Sequence, residues 1–270
     1  MADSRCLPFL RFALEASCLS DRGRSRPSNE DSVCVVVPED PETLDHKGVL
    51  MVVADGMGGH EGGELASRIA VERIRTLYYS GGTSPEHALS RAFQAANEEV
   101  LTCARRHPSL AGMGTTCTAV VVRAGCAWLA HVGDSRLYLV RDGRAYRMTQ
   151  DHSITMELVS RGLLTLAEAD RHEERNVILR ALGTHEQLDV TTWRAPFPVR
   201  GGDRLVLCSD GLYESISDEE FGQICVQHET SARACDALLR TALERDGSDN
   251  ITVAVLYVAA APEEVTAWTP

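Results

Sequence analysis

The chain has 270 residues, 44% hydrophobic and 24% charged, which is enough apolar side chain for a sizeable core and too little charge for a disordered chain. Acidic residues outnumber basic ones by 39 to 27, a net charge of -12 that argues against a nucleic-acid backbone as the main partner. The nine cysteines are never arranged as CxxC and suggest neither a disulfide framework nor a zinc knuckle. Lys47, the only lysine, leaves almost no candidate for a Schiff-base or nucleotide-binding lysine.

No run approaches 18 apolar residues, and the N-terminal "CLPFLRFAL" lacks the length and cleavage site of a secretory signal, so a cytoplasmic, soluble protein is expected. In chain order, apolar runs bounded by turn residues predict strands near 33–37, 48–54, 116–122, 126–132, 136–141, 189–193, 203–208 and 251–258. Helical spacing predicts helices over 63–79, 85–106, 153–161, 217–226 and 230–244. Gly125 and the pair Asp142-Gly143 mark hairpin turns, and a run of hairpins is antiparallel. The expectation is an α+β chain of one domain with two packed antiparallel sheets and helices outside. Residues 150–188, poor in strand signal, read as a helical insertion over one end of the sheets.

The glycine cluster in "VVADGMGGHEGGELAS" (52–67) invites a phosphate-loop reading, but GxGxxG from Gly56 ends on Glu61, and GxxxxGK[ST] from Gly58 continues past Gly63 as Glu64-Leu65. Cys117 and Arg123 have the Cx5R spacing of cysteine-dependent phosphatases, yet TAVVV between them is β-forming and would hold them about 20 Å apart. The serine-hydrolase elbow GxSxG is absent.

Carboxylates at strand ends are the informative pattern. Asp55 follows LMVVA, Asp134 follows LAHVG, Asp210 follows LVLCS, Asp249 precedes ITVAVLYV, and Glu30-Asp31 precede SVCVVV. Aspartate is also a common turn residue, but five such sites can gather at one rim if the sheets pack. Converging carboxylates repel unless cations are present, and hard oxygen ligands without His or Cys select Mg2+ or Mn2+. A pair of ions about 3.5–4 Å apart, bridged by one carboxylate, is suited to attack on phosphate esters. Gly56, lacking a Cβ, lets its carbonyl approach a metal, and Arg26 in "RSRPSNED" supplies a guanidinium fork for phosphate oxygens. Arg22 and Arg24 read as surface residues.

Eight segments in order, "SDRGRSRPSNEDS", "VVADGMGGHEGGELAS", "GMGTTCTAVVV", "AHVGDSRLYLVRDG", "TQDHSITMELVSRG", "RNVILRALGT", "LVLCSDGLYESI" and "GSDNITVAVL", together resemble the metal-dependent serine/threonine protein phosphatases of the PPM (PP2C) type in their bacterial form. The resemblance runs from about residue 16 to 258. It implies a four-layer α/β/β/α sandwich with a central pair of antiparallel sheets over 12–260, a flap over 150–188, and terminal extensions at 1–11 and 261–270. It further implies Asp55 as bridging ligand, Gly56 as carbonyl ligand, Asp210 and Asp249 completing the first ion's shell, and Glu30 and Asp31 acting partly through water. Asp134 would bind a third, weaker ion together with Asp210, and Arg26 would hold the phosphate. The implied reaction is direct attack of a metal-bridging hydroxide on phosphoserine or phosphothreonine, opposing a Ser/Thr kinase, in a monomer. Position 57 is Met where eukaryotic members carry a histidine proposed as general acid; His60 is a weaker candidate than metal-bound water.

Overall fold

In the computed structural model, which describes residues 12–82 and 84–259, the first half of the chain runs β1 (Ala13–Asp21), β2 (Asp31–Val36), α1 (Pro41–Lys47), β3 (Val49–Met57), α2 (His60–Ser80), α3 (Pro85–Arg106), β4 (Gly114–Thr115), β5 (Cys117–Arg123) and β6 (Cys126–Val132). It continues through β7 (Arg136–Arg141), β8 (Arg144–Arg147), α4 (Ile154–Ser160), α5 (Leu166–Ala169), β9 (Thr191–Thr192) and β10 (Phe197–Pro198), then β11 (Arg204–Cys208), α6 (Asp210–Tyr213), α7 (Asp218–Gln227), α8 (Ser231–Arg245) and β12 (Ile251–Ala259). One sheet has the order β1-β12-β11-β7-β8. The other has the path β10-β6-β5-β3-β2, with β4 on β3 and β9 on β6; every paired strand is antiparallel.

The layers follow from the two-residue period of a strand. Along β3, Val49, Met51 and Val53 face a core shared with Leu137, Leu139, Leu205, Leu207, Ala254 and Leu256 of the opposite sheet. The alternate residues Leu50, Val52 and Ala54 face Ile74, Leu89 and Phe93 on α2 and α3. In the same way β12 sends Ala254 and Leu256 to the inter-sheet core, and Val253 and Val255 to a second outer core with Phe221 and Leu238. Both faces of the central strands are therefore buried, which is why they read as continuous apolar runs. The result is the expected α/β/β/α sandwich.

Asp142 (φ 53°) and Gly143 (φ 77°) are both left-handed, the conformation that a two-residue hairpin turn demands between β7 and β8. Cys117 and Arg123 lie at opposite ends of β5, so the Cx5R spacing forms no phosphate loop. Seven cysteines, Cys18, Cys34, Cys103, Cys117, Cys208, Cys225 and Cys235, are free, and Cys126 is disulfide-bonded.

Several elements differ from expectation. The nine-residue β1 was not predicted: as an edge strand paired only with β12, it carries Glu15, Ser17 and Ser20 where a central strand would be apolar. Nor was α1, which buries none of its residues and so has no apolar stripe; its signals are Asp40, which accepts a capping bond from Thr43 N at 2.9 Å, and Pro41 at the first turn. The strand expected over 189–193 shrinks to Thr191–Thr192, and α2 starts at His60, three residues before the expected 63. Within 150–188 the regular elements are the short α4 and α5, tied down by bridges Ser153↔Ile178 and Thr115↔Leu182.

Candidate active site

At one end of the sandwich the alternation that fills the inter-sheet core continues, but the side chains change from apolar to polar. After Val49, Met51 and Val53, the next residue of that face of β3 is Asp55, and Asp31 stands directly opposite it on β2. After Leu205 and Leu207 comes Ser209, and before Ala254 comes Thr252. Ser209 Oγ donates to Asp31 Oδ2 at 2.8 Å and accepts from Thr252 N at 3.0 Å. The hydroxyl layer that caps the core is thus the floor on which the carboxylates stand.

The remaining carboxylates come from loops held against that floor. Asp134 sits in the turn between β6 and β7, whose Ser135 is fixed by Thr116 Oγ1 at 2.7 Å and, through its carbonyl, by Thr118 Oγ1 at 2.7 Å. Asp210 opens α6, and Asp249 lies two residues before the start of β12. Asn250 stitches the Arg26 loop to that strand: its amide donates to Arg22 O at 2.8 Å and Ser28 O at 2.9 Å, and its oxygen accepts from Glu30 N at 2.8 Å. Arg26 reaches the rim, half exposed, and donates from Nη2 to Asp249 Oδ2 at 2.7 Å.

Asp55 and Gly56 are pinned on both sides. Asp55 N donates to Thr116 Oγ1 at 3.0 Å, Asp55 O accepts from Thr116 N at 2.8 Å, and Gly56 N donates to Glu30 O at 3.1 Å. A Cβ on Gly56 would stand 2.1 Å from Gly63 O and 2.6 Å from Glu30 O, so no other residue fits there.

The electrostatics show that these aspartates share one region. Burial raises Asp55 well above its ordinary value, and the charges of Asp31, Asp210, Asp134 and Asp249 raise it further. Asp210 is raised by burial and then by Asp134, Asp249 and Asp31. Asp134 is pushed up to about 7 by burial and the charge of Asp151, and Asp31 to about 6 by burial, partly offset by hydrogen bonds from Thr252 and Ser209. Five aspartates predicted from sequence are therefore brought together. The exposed Arg22 and Arg24 lie on the surface as expected, and the side chain of His60 falls outside the described residues.

A family model described as protein phosphatase 2C matches residues 39–251. The chain belongs to that family. It is 38% identical over 248 residues to the serine/threonine protein phosphatase PstP of Mycobacterium tuberculosis, a match covering 92% of this chain and 45% of that one, so the chain spans about half the length of that relative. It is 34% identical to the serine/threonine phosphatase stp of Listeria innocua, covering 89% of this chain and 94% of the relative. A crystal structure of the catalytic domain of PstP in complex with two manganese ions superposes with a TM-score of 0.78 at 35% identity, covering 92% of this chain and 100% of that one.

The donor set of this PP2C domain fits a hard divalent cation. All its ligand candidates are oxygens, Asp31 Oδ1 is buried with no hydrogen-bond partner, and Asp55 and Asp210 are raised by burial and by the charges of the neighbouring aspartates. Among the described residues no three acidic, histidine or cysteine side chains close into a coordination shell.

A pairing that the strand-end pattern missed ties the flap to this region. Arg136, two residues beyond Asp134, donates to both oxygens of Asp151, with Nη2 to Oδ2 at 2.7 Å and Nε to Oδ1 at 3.2 Å. Its guanidinium stacks 3.6 Å from the Tyr213 ring centroid, three residues beyond Asp210. The sequence signal was available as an arginine closing GDSR and an aspartate opening DHS, but nothing in their spacing announces the pair.

Proposed function

We propose that this protein is a metal-dependent phosphoprotein phosphatase that hydrolyses phosphoserine and phosphothreonine by direct attack of water on phosphorus, without a phosphoenzyme. The observation that carries the reading is the gathering of Asp31, Asp55, Asp134, Asp210 and Asp249 at one end of the sandwich, each of the first four raised above its ordinary value. Membership of the family supports it. In this reading Asp55 would be the bridging ligand, Gly56 would offer its carbonyl, and Asp210 and Asp249 would complete the first of two Mn2+ or Mg2+ sites. Glu30 and Asp31 would act partly through water, and Asp134 with Asp210 would hold a third ion. When bound, the ions acidify water and offset the charge of the phosphate.

The chain's own residues do the positioning. Asp249 holds Arg26 at the rim through one nitrogen, and the guanidinium retains further N–H groups for phosphate oxygens. Met57, which follows Asp55-Gly56, carries no acid, so the leaving hydroxyl takes its proton from water. The flap over 150–188 borders the entrance, in a phosphatase domain spanning 12–260. The setting we assign is opposition to a bacterial Ser/Thr kinase, as a cytoplasmic monomer. Among the described residues no helix is long and apolar enough to cross a membrane. Phosphate release from matched phosphothreonine, phosphoserine and phosphotyrosine peptides, with acid-quenched protein checked for bound phosphate, tests the reading. Turnover of the first two with unlabelled protein is expected; trapped phosphoprotein or a tyrosine preference contradicts it.

A further inference from the structure

A groove of about 390 Å³ runs between the flap and the segment that follows Asp210. Its floor is the Arg136–Asp151 pair, to which Arg147 adds a contact to Asp151 at 3.4 Å. The inner end reaches the candidate active site: Tyr213, which lines the groove, closes the helix that Asp210 opens, and its ring centroid lies 3.6 Å from the guanidinium of Arg136, two residues beyond Asp134. Glu214, also on the wall, is felt by the same two aspartates.

The charges at the rim are unbalanced. Arg175 of the flap meets Glu214 at 3.5 Å, with both side chains substantially exposed, an arrangement that holds little energy and exchanges readily with an incoming cation. Asp170 of the flap and Asp218 at the start of α7 also line the groove, and among the described residues their side chains form no ion pair. The groove thus presents Asp170, Glu214 and Asp218 around an opening continuous with the place where the phosphate would bind.

Resting on the phosphatase reading, we propose that this groove is a specificity subsite for the substrate polypeptide, receiving an arginine or lysine side chain close in sequence to the phosphorylated residue. The apolar stem of such a side chain lies along Tyr213 and Ile216, while its head reaches the rim carboxylates. Substrates with acidic flanks meet the excess negative charge that Asp170 and Asp218 leave at the rim and are disfavoured.

The test uses the full chain and three phosphothreonine peptides identical except for Arg-Arg, Ala-Ala or Glu-Glu beside the phosphothreonine. With Mn2+, kcat/KM is expected to be about tenfold higher for the arginine than for the glutamate peptide, a size in line with two or three exposed charge pairs. D170N/D218N is expected to bring that ratio down to about twofold, and D170K/D218K to invert it. Because the chain carries a net charge of -12, E229Q/E244Q, one just before α8 and one in its last turn and neither lining the groove, serves as the control and keeps the wild-type ratio. Equal rates for the three peptides, or a ratio that survives D170N/D218N, overturn the subsite. Hydrolysis of p-nitrophenyl phosphate without peptide preference removes the subsite and leaves the phosphatase reading standing. If nothing is hydrolysed, anisotropy of the fluorescein-labelled peptides in EDTA decides: arginine preference that D170N/D218N abolishes keeps the subsite without the phosphatase reading, and equal binding removes both.

Discussion

Asp55 concentrates the account in one side chain: it ends the central strand on the inter-sheet face, it is opposed in register by Asp31, and burial and four other aspartates oppose its ionisation. Asp55→Asn is expected to lower kcat by at least about a hundredfold, because an amide cannot supply the bridging charge. The same variant should melt no lower than the wild type in EDTA, because it removes one repulsive charge; near-normal turnover would sink the bridging assignment. Arg26→Ala should raise KM by about tenfold, the loss of a hydrogen bond to a charged group, with a smaller change in kcat. An unchanged KM would return Arg26 to the surface. The aspartates were legible because each interrupts an apolar run with a carboxylate that turn propensity alone explains poorly five times over. What was not legible is that Asp249 engages Arg26, since residues 223 apart are brought together by the closing of β12 against β1 and by the hydrogen bonds of Asn250 to the Arg26 loop.

At the scale of elements, strands buried on both faces announced themselves, whereas the edge strand β1 and the largely exposed α1 did not. Burial writes the apolar pattern that sequence reading relies on, and those two elements bury Leu14, Ala16, Cys18 and Leu44 only in part, with backbone pairing and capping beside them. The flap belongs to the same class: its short helices gave a helical signal, but it is anchored by the bridge Thr115↔Leu182 and by the pair Arg136 and Asp151, 15 residues apart and both largely buried. Removing one partner of a buried pair costs about 3–5 kcal/mol. Asp151→Ala should therefore lower the melting temperature by roughly 5–15 °C in a domain of this size. An unchanged melting temperature would show that the flap is anchored elsewhere.

For the whole molecule, two sets of buried titratable groups shape stability in opposite directions. Asp31 and Asp134 have folded values of about 6 and about 7, above the ordinary 3.8, so their contribution is full below about 4 and is lost as pH rises through 6 to 7. His131 and His152 are held neutral by burial, at about 3 and about 4, so their contribution is full above 6.5 and is lost as pH falls toward 4. From pH 6 to 8 the carboxylates dominate, and the metal-free protein should melt lower at pH 8 than at pH 6. Mn2+ supplies the missing charge, so its stabilisation, followed by the shift in Tm, should be larger at pH 8; a shift independent of pH would contradict the convergence of the carboxylates. Metal-dependent phosphoprotein hydrolysis is what this convergence of carboxylates would serve. It is tested most directly by hydrolysis of a phosphothreonine peptide in EDTA and again after Mn2+ is restored. Activity that vanishes in EDTA and returns with Mn2+ is the predicted result, and turnover that persists in EDTA or fails to appear with Mn2+ would contradict it.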